Sequence, residues 1–560
     1  MQRASAGLLL LLASCVSTRD AAPLPTPAEV VATLAPRALE VPPLGALTRT
    51  ASGASPEAQA WFDQGLRYLW GFNQDQAGAC FARAAQASPE CAMAWWGIAH
   101  VFSVDVNNDS VSPEEAAWAH VAAVEATRLA PGATALEQAL VAAAATRTPA
   151  SIPGDRDPLD EAYAEAMGAA AATFPDDAGV QALHAESLML LQPWEYWTWD
   201  GAPLGRAQEI EELLEAAIAL DPEHPGAHHL YIHIVEASSD PYQGVASADA
   251  LGRLMPGSGH LIHMPSHIYA NVGRYEDAVE VNVQASALDA AYFEAYAQPS
   301  FYLNYYVHNL HFVAYAAMMD GRAALAMEYV QRMEDALPEE LHRAFAPFID
   351  GHFAIRTHAL MRFGRWEELL AEAEPAEWRH SSRAFRLYGR AVALANLGRT
   401  EEARAELAAF DAARAEVPEG WKISFNPADV VLGLAREVAE AEIRWREGDA
   451  AGALEQLEAA TLVERELVYT EPPAWSLPVR HVIGAIQVAT GDGAAAESTY
   501  RRDLAKLPGN GWSLVGLQQA LSLQGREGEA QDLQPAIDRA WARADEQAPA
   551  SCYCGVAVSQ

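Results

Sequence analysis

The sequence predicts an all-α protein, an α-solenoid of repeated helical hairpins. Three observations carry that prediction. Helix formers dominate the 560 residues, and alternating runs of Val, Ile and Thr are almost absent. Small, aromatic and proline markers return at a spacing of 34 residues in three separate parts of the chain. Short Gly-centred breaks, as in "MMDGRAALAMEYV", "RFGRWEELL" and "NLGRTEEARAEL", separate one apolar-periodic stretch from the next.

The chain begins with material outside this pattern. Residues 1–14 carry Arg3, then "GLLLLLAS", a run too short to span a membrane as a mature helix. "LASC", Leu12 to Cys15, resembles the lipobox of bacterial lipoproteins, which implies cleavage before Cys15 and lipid attachment to it. The alternative is a plain secretory signal peptide, and either reading takes the protein out of the cytoplasm. Val16 follows the cysteine, with no aspartate there to favour the inner membrane, so the outer membrane is the preferred destination on the periplasmic side. Residues 15–54 are rich in Pro, Ala and Thr without apolar period and are expected to be a flexible tether. No later segment has the length and apolarity of a span, so the membrane is reached only through the lipid.

The repeats are expected over residues 55–545. In "AWFDQGLRYLWGFNQDQAGACFARAAQASPE" stand Trp61, Gly65, Tyr68, Ala77, Phe81, Ala84 and Pro89. Small residues let two antiparallel helices approach, large ones plug the space to the next hairpin, and proline ends the second helix. These spacings resemble the tetratricopeptide repeat, and the resemblance implies its helix-turn-helix fold. Counting from Ala58, the next repeat begins at Ala92. Others begin at Pro225 and Gly259, near Val307, Asp350 and Ala384, and at Leu477 and Gly511. Residues 103–160 and 293–306 are uneven spacers. The aromatic "PWEYWTWD", Pro193 to Asp200, is expected to be a packed loop, with a substrate-facing role for its tryptophans as the alternative.

Within this framework the histidines of residues 225–320 keep the repeat phase. His229 and His233 are four apart and share a helical face, which Glu236 continues. Adding 34 converts them to His263 and His267, and His260 lies one turn before His263. In the repeat near Val307, His308 and His311 take the phases of His260 and His263, and Tyr315 that of His267. Of the twelve positions at these phases seven are histidine, where the chain average of 17 in 560 gives about 0.4. In tetratricopeptide arrays the first helices line a concave groove, so the resemblance implies that these imidazoles face into it. Helices packed about 8–10 Å apart let rings from neighbours converge. Pro265 is expected to kink the helix between His263 and His267; the alternative is a helix that begins at Pro265. "GHLIHMPSHIY" also resembles a block in bacterial tetratricopeptide proteins, a likeness that implies no activity.

An imidazole-rich, carboxylate-poor set fits copper or zinc better than magnesium or calcium. His229, His233, His260, His263, His267 and His311 are the candidate metal ligands. Glu236, His308 and Tyr315 are the candidate proton-moving groups. The expected function is a metalloprotein, with a metalloenzyme as its sharper form, acting on a small molecule or peptide in the groove. The other reading is an interaction scaffold that holds a protein partner there without metal chemistry. The formal charge of -38 excludes nucleic acid, whose phosphates need a basic face, and reads as a solvated exterior. There is no H-E-x-x-H, phosphate-binding glycine loop or G-x-S-x-G. Residues 546–560 form a tail in which Cys552 and Cys554 are expected to be a reactive pair, a soft-metal site or a disulfide end. Cys80 and Cys91 are expected to stay unbridged.

Overall fold

The structure is a computed structural model that describes residues 23–41, 43–296, 300–546 and 549–555. Cys15 and the expected signal peptide, residues 1–14, lie outside the described residues. Helices account for nearly all the regular structure. The strands among the described residues form one short antiparallel ribbon, Lys422–Ile423 with Asn426–Pro427. The all-α expectation and the helical hairpins are therefore observed. The described chain divides into two compact units. One comprises the residues up to Ile268 together with Gln284–Tyr306, the other Tyr269–Val283 together with the residues from Val307 onward.

The first unit opens with a correction. The supposed tether carries a helix, Pro27–Leu34, whose N-terminus is closed by a capping box from Thr26 and Glu29. Val30 and Leu34 are buried, and Gln76 bonds the backbone of Leu39 at 3.0 Å, so this stretch is docked on the fold. Its Pro and Ala content concealed the few apolar residues that anchor it.

The first hairpin pairs Pro56–Trp70 with Gln74–Ala87, and Ala92–Val101 follows. Ser55 caps the first helix and Pro56 supplies its preset φ. The predicted alternation of small and large residues is realised at Phe81. A Cβ on Gly65 would lie 2.7 Å from its ring and one on Gly97 2.4 Å, so both neighbouring helices need glycine to close on it. The uneven spacer 103–160 holds Pro113–Leu129, Ala135–Thr146 and the start of Asp157–Thr173. Two of these open on capping boxes, Ser112 with Glu115 and Thr134 with Glu137, local start signals that do not depend on the 34-residue phase. Ala178–Met189, Ala207–Leu220, Pro225–Val235 and Val245–Leu254 continue the series. The aromatic loop is packed as expected at Tyr196, which is buried, and at Trp197, whose Nε1 donates to the Ile234 carbonyl at 2.5 Å.

The second unit repeats the hairpin theme with His380–Asn396 and Thr400–Ala415, Val479–Ala489 and Gly493–Lys506, and Gly511–Leu523. It also contains Ala428–Arg446 with Ala450–Glu466, a hairpin at which no repeat start was expected. Its core runs through Phe385, Tyr388, Phe410, Leu432 and Ile486. The tail folds back here, with Cys552 and Cys554 joined in a disulfide, while Cys80 and Cys91 of the first unit are free and buried.

Candidate metal centre

Two stretches of the first unit supply the histidines. The Pro225–Val235 helix carries His229 and His233 on one face, and Glu236 is its C-cap. Gly226 lets this helix close on the Pro56–Trp70 helix, because a Cβ there would lie 2.2 Å from the Trp70 ring. That approach brings His229 Nδ1 to 3.0 Å from the Trp70 carbonyl oxygen. The second stretch is broken as Pro265 requires. Gly259–His263 ends at Met264 and a new helix begins at Pro265, so His260 and His263 sit on one short segment and His267 on the next.

Five imidazoles close into a ring. Successive centroids lie 4.9 Å apart for His229 and His233, 5.8 Å for His233 and His267, and 4.8 Å for His267 and His263. The circuit returns through His263 and His260 at 5.9 Å and His260 and His229 at 4.9 Å. Donor atoms of His229, His233 and His260 lie within 4.8 Å of one another, as do those of His233, Glu236 and His267. His229 Nε2 is 3.2 Å from His260 Nε2, and His263 Nε2 is 2.9 Å from His267 Nε2.

For three of the rings the outer nitrogen fixes which atom faces inward. A carbonyl oxygen only accepts, so His229 Nδ1 donates its proton to Trp70 and leaves Nε2 with its lone pair. Glu236 does the same for two rings. Its Oε1 is 3.4 Å from His233 Nδ1, and its Oε2 makes a short contact with His267 Nδ1. Burial alone would raise the Glu236 carboxyl, but His267 and His233 outweigh it and bring it to about 2, so it is an anion that only accepts. Ser266 Oγ is 3.5 Å from His263 Nδ1. Burial drives His229 and His260 well below the usual histidine range, with neighbouring histidines adding to the effect, and it lowers His233 as well. These rings are neutral, the form that binds metal. His233 Nε2 is buried with no hydrogen-bond partner, and its lone pair points to no donor.

His228, next in sequence to His229, provides the contrast. Its Nδ1 meets Ser247 Oγ at 2.9 Å and its Nε2 the Pro222 carbonyl at 3.0 Å, so both nitrogens are spent on structure.

The structure corrects the expected exposure. The first-helix histidines were expected to face an open groove, yet His229 and His263 are 0% exposed. The cover comes from Phe72 and Tyr305, which carried no expectation, and from Trp194, one of the loop tryptophans for which a site-facing role was the alternative. Phe72 lies 4.5 Å from the His229 ring and stacks on His260 at 5.5 Å. Tyr305 is 4.3 Å from His260, and Trp194 meets His233 edge-on at 5.1 Å. Tyr302 accepts from the His260 backbone N–H at 3.3 Å and donates to Asp289 at 3.0 Å.

His308, His311 and Tyr315 lie on the part of the Leu303–Met319 helix that belongs to the second unit. There the buried His311 ring is edge-on to His352 at 5.7 Å. His308 is half-buried, 6.0 Å from Phe312, and Tyr315 is a core residue whose hydroxyl burial pushes up.

No family model matches the sequence, and the curated proteins contain no significant match. Among solved structures the chain is distantly similar to the APC/C hetero-tetramer Cut9–Hcn1, at 11% identity and a TM-score of 0.29 over 88% of this chain and 77% of that one. It is similar to the human IFIT1 dimer with PPP-AAAA at 12% identity and 0.30, over 86% of this chain and 90% of that one. For the human IFIT1 dimer with m7Gppp-AAAA the values are 12% and 0.32, over 87% and 92%. Likenesses of this size carry no argument about what this chain does.

Proposed function

We propose that the protein binds a first-row transition metal, copper or zinc first, on the inward nitrogens of His229, His233, His260, His263 and His267. The observation that supports this most is the pattern of hydrogen bonds around the rings. Trp70 and Glu236 occupy the outer nitrogens of His229, His233 and His267 and direct their lone pairs inward, and the buried His233 Nε2 is left without a partner. A buried acceptor with nothing to accept from costs about 1–3 kcal/mol, a cost that a bound cation removes. His229, His233 and His260 offer three nitrogens within 4.8 Å of one another, the number that an open catalytic zinc site takes from its protein. When bound, such a metal supplies Lewis-acid chemistry or, for copper, electron transfer.

The chain's own residues then have distinct tasks. Glu236 orients His233 and His267, and this role replaces the proton transfer expected of it. Phe72, Trp194 and Tyr305 keep water from the rings. A small molecule suits such an enclosed site better than a peptide, and a metalloenzyme acting on one is the reading we favour. We further propose that the chain is exported and lipid-anchored through Cys15. Replacing Cys15 by Ala and fractionating cells tests the anchor: loss of the membrane pool is expected, and an unchanged pool refutes it.

Metal analysis of protein purified without a histidine tag tests the site. At least one copper or zinc per chain is expected. His233→Ala and His267→Ala lose it with helical circular dichroism intact, whereas His228→Ala keeps it. Wild-type protein that takes up no metal at micromolar concentration, yet binds a protein or peptide, overturns this reading in favour of a scaffold.

A further inference from the structure

The tail of the second unit is held by side chains on both sides of its cysteines. Ser551 Oγ donates to the His481 carbonyl at 2.8 Å. The Cys554 carbonyl accepts from Trp445 Nε1 at 3.1 Å and from Arg446 Nη2 at 2.9 Å. Between these anchors Cys552 and Cys554 are bridged across a single residue, Tyr553. A disulfide stabilises a fold mainly by closing a loop of the unfolded chain, and the shortest loops gain least. Stability is therefore a poor reason for this bridge.

Its surroundings give a chemical one. Cys552 is half-buried while Cys554 is 0% exposed, so an external group reaches Cys552 first. The Cys554 backbone N–H donates to Cys552 Sγ at 3.1 Å, a bond that favours negative charge on that sulfur. A Glu442 carboxylate oxygen and the two sulfurs all lie within 4.8 Å of one another. Glu442 is 2% exposed, and its Oε2 accepts from Asn396 Nδ2 at 2.7 Å. Burial pushes its carboxyl up to about 7 against the opposing pull of Asn396 and Arg446, so it can both give and take a proton near neutrality. A cavity of about 30 Å3 bordered by Glu442, Arg362, Trp475 and Cys552 has room for a water beside it.

We propose that Cys552 and Cys554 are a redox-active dithiol–disulfide centre that exchanges two electrons with an external thiol, with Cys552 as the sulfur attacked and Glu442 as the proton donor to Cys554. An external thiolate attacks Cys552 Sγ and the Cys552–Cys554 bond breaks. Cys554 leaves with the electron pair and takes the proton of Glu442, giving a mixed disulfide on Cys552. A second external thiolate attacks the external sulfur of that disulfide. Cys552 leaves as a thiolate held by the Cys554 N–H and is protonated from water, and Glu442 regains its proton from water. Two external thiols become one disulfide while the pair is reduced, so protons and electrons balance.

The test equilibrates the folded full-length protein in glutathione redox buffers without denaturant, quenches with acid and counts thiols by maleimide mass shift. Two additional thiols are expected on reduction, with helical circular dichroism unchanged. Cys554→Ser should gain one glutathione from oxidised glutathione at least tenfold faster than Cys552→Ser. Glu442→Gln should slow reduction of the pair at least tenfold at pH 6 and abolish the rate inflection near pH 7. A bridge that is reduced only as the helices unfold overturns the proposal. So does equal glutathione uptake by the two serine variants. A Glu442→Gln rate profile identical to wild type removes Glu442 from the step.

Discussion

Phe72 holds φ at +52°, at the turn phase where later hairpins have Gly273, Gly321, Gly364 and Gly398 at positive φ. A side chain in that region costs about 1–2 kcal/mol, and what the protein obtains is a ring laid on His229 and His260. Trp194 has φ +63° and meets His233 in the same manner. Two bulky residues in glycine-like conformations, each against imidazoles of the same cluster, mark the site as firmly as the imidazoles do. Phe72→Ala removes the ring and keeps the strain, whereas Phe72→Gly removes both. Urea denaturation should therefore find the glycine variant about 1 kcal/mol more stable than the alanine variant, with metal content reduced in each. Glu236→Gln keeps the shape of the side chain but makes it an amide that cannot accept from both rings at full strength. Chelator competition should show metal affinity lower by roughly 10–100-fold, with little change in helix content. The histidines were legible in the sequence because they recur at one phase. Phe72 was legible in principle, since it breaks the glycine pattern of its own repeat family. Trp194 stood in the sequence only as an alternative for the loop tryptophans, and the Trp70 carbonyl not at all, because they meet His233 and His229 through tertiary packing.

Among the elements, the interrupted helix at Pro265 matters most to the site. The break places His260 and His263 on one short segment and His267 on the next, with Met264 between them. Pro265→Ala permits one continuous helix. We expect stability within about 1 kcal/mol of wild type by thermal denaturation. Metal affinity should nevertheless fall by roughly tenfold or more, because ligand positions tolerate little displacement. The Phe81 plug lies away from these rings in sequence and gives the opposite result. Gly97→Ala places a methyl 2.4 Å from the Phe81 ring, so the helices must separate. Unfolding free energy should drop by about 1–3 kcal/mol. These repeat contacts were legible because small and large residues alternate at a fixed period. The Pro113–Leu129 and Ala135–Thr146 helices were missed because they announce themselves by caps and not by that period.

At the scale of the molecule, neutral buried histidines make the fold sensitive to acid. His224 is lowered to about 4 and His358 to about 3, chiefly by burial, and His100, His229, His260 and His311 fall well below their ordinary value. Below about pH 6.5 the unfolded chain binds protons at these sites while the folded chain does not, so stability falls as pH falls. Each fully buried histidine then costs about 2 kcal/mol at pH 5 relative to pH 7.5. Glu186, Asp320, Glu442 and Glu464, raised to about 7 by burial, act in the opposite sense between pH 7 and the unfolded carboxyl range. The depressed histidines outnumber them, so the urea midpoint should move down between pH 7.5 and pH 5.

The chain leaves the first unit after Ile268, re-enters it at Gln284 and leaves again after Tyr306. The later passage carries Asp289, Tyr302 and Tyr305, which brace His260. A gene fragment that stops at residue 268 would encode all five imidazoles and still lack one side of their enclosure. The histidine cluster is therefore not a cassette. Recombination cannot lift it out as one uninterrupted exon-sized piece, and on a ribosome it stays unfinished until the chain has already started building something else.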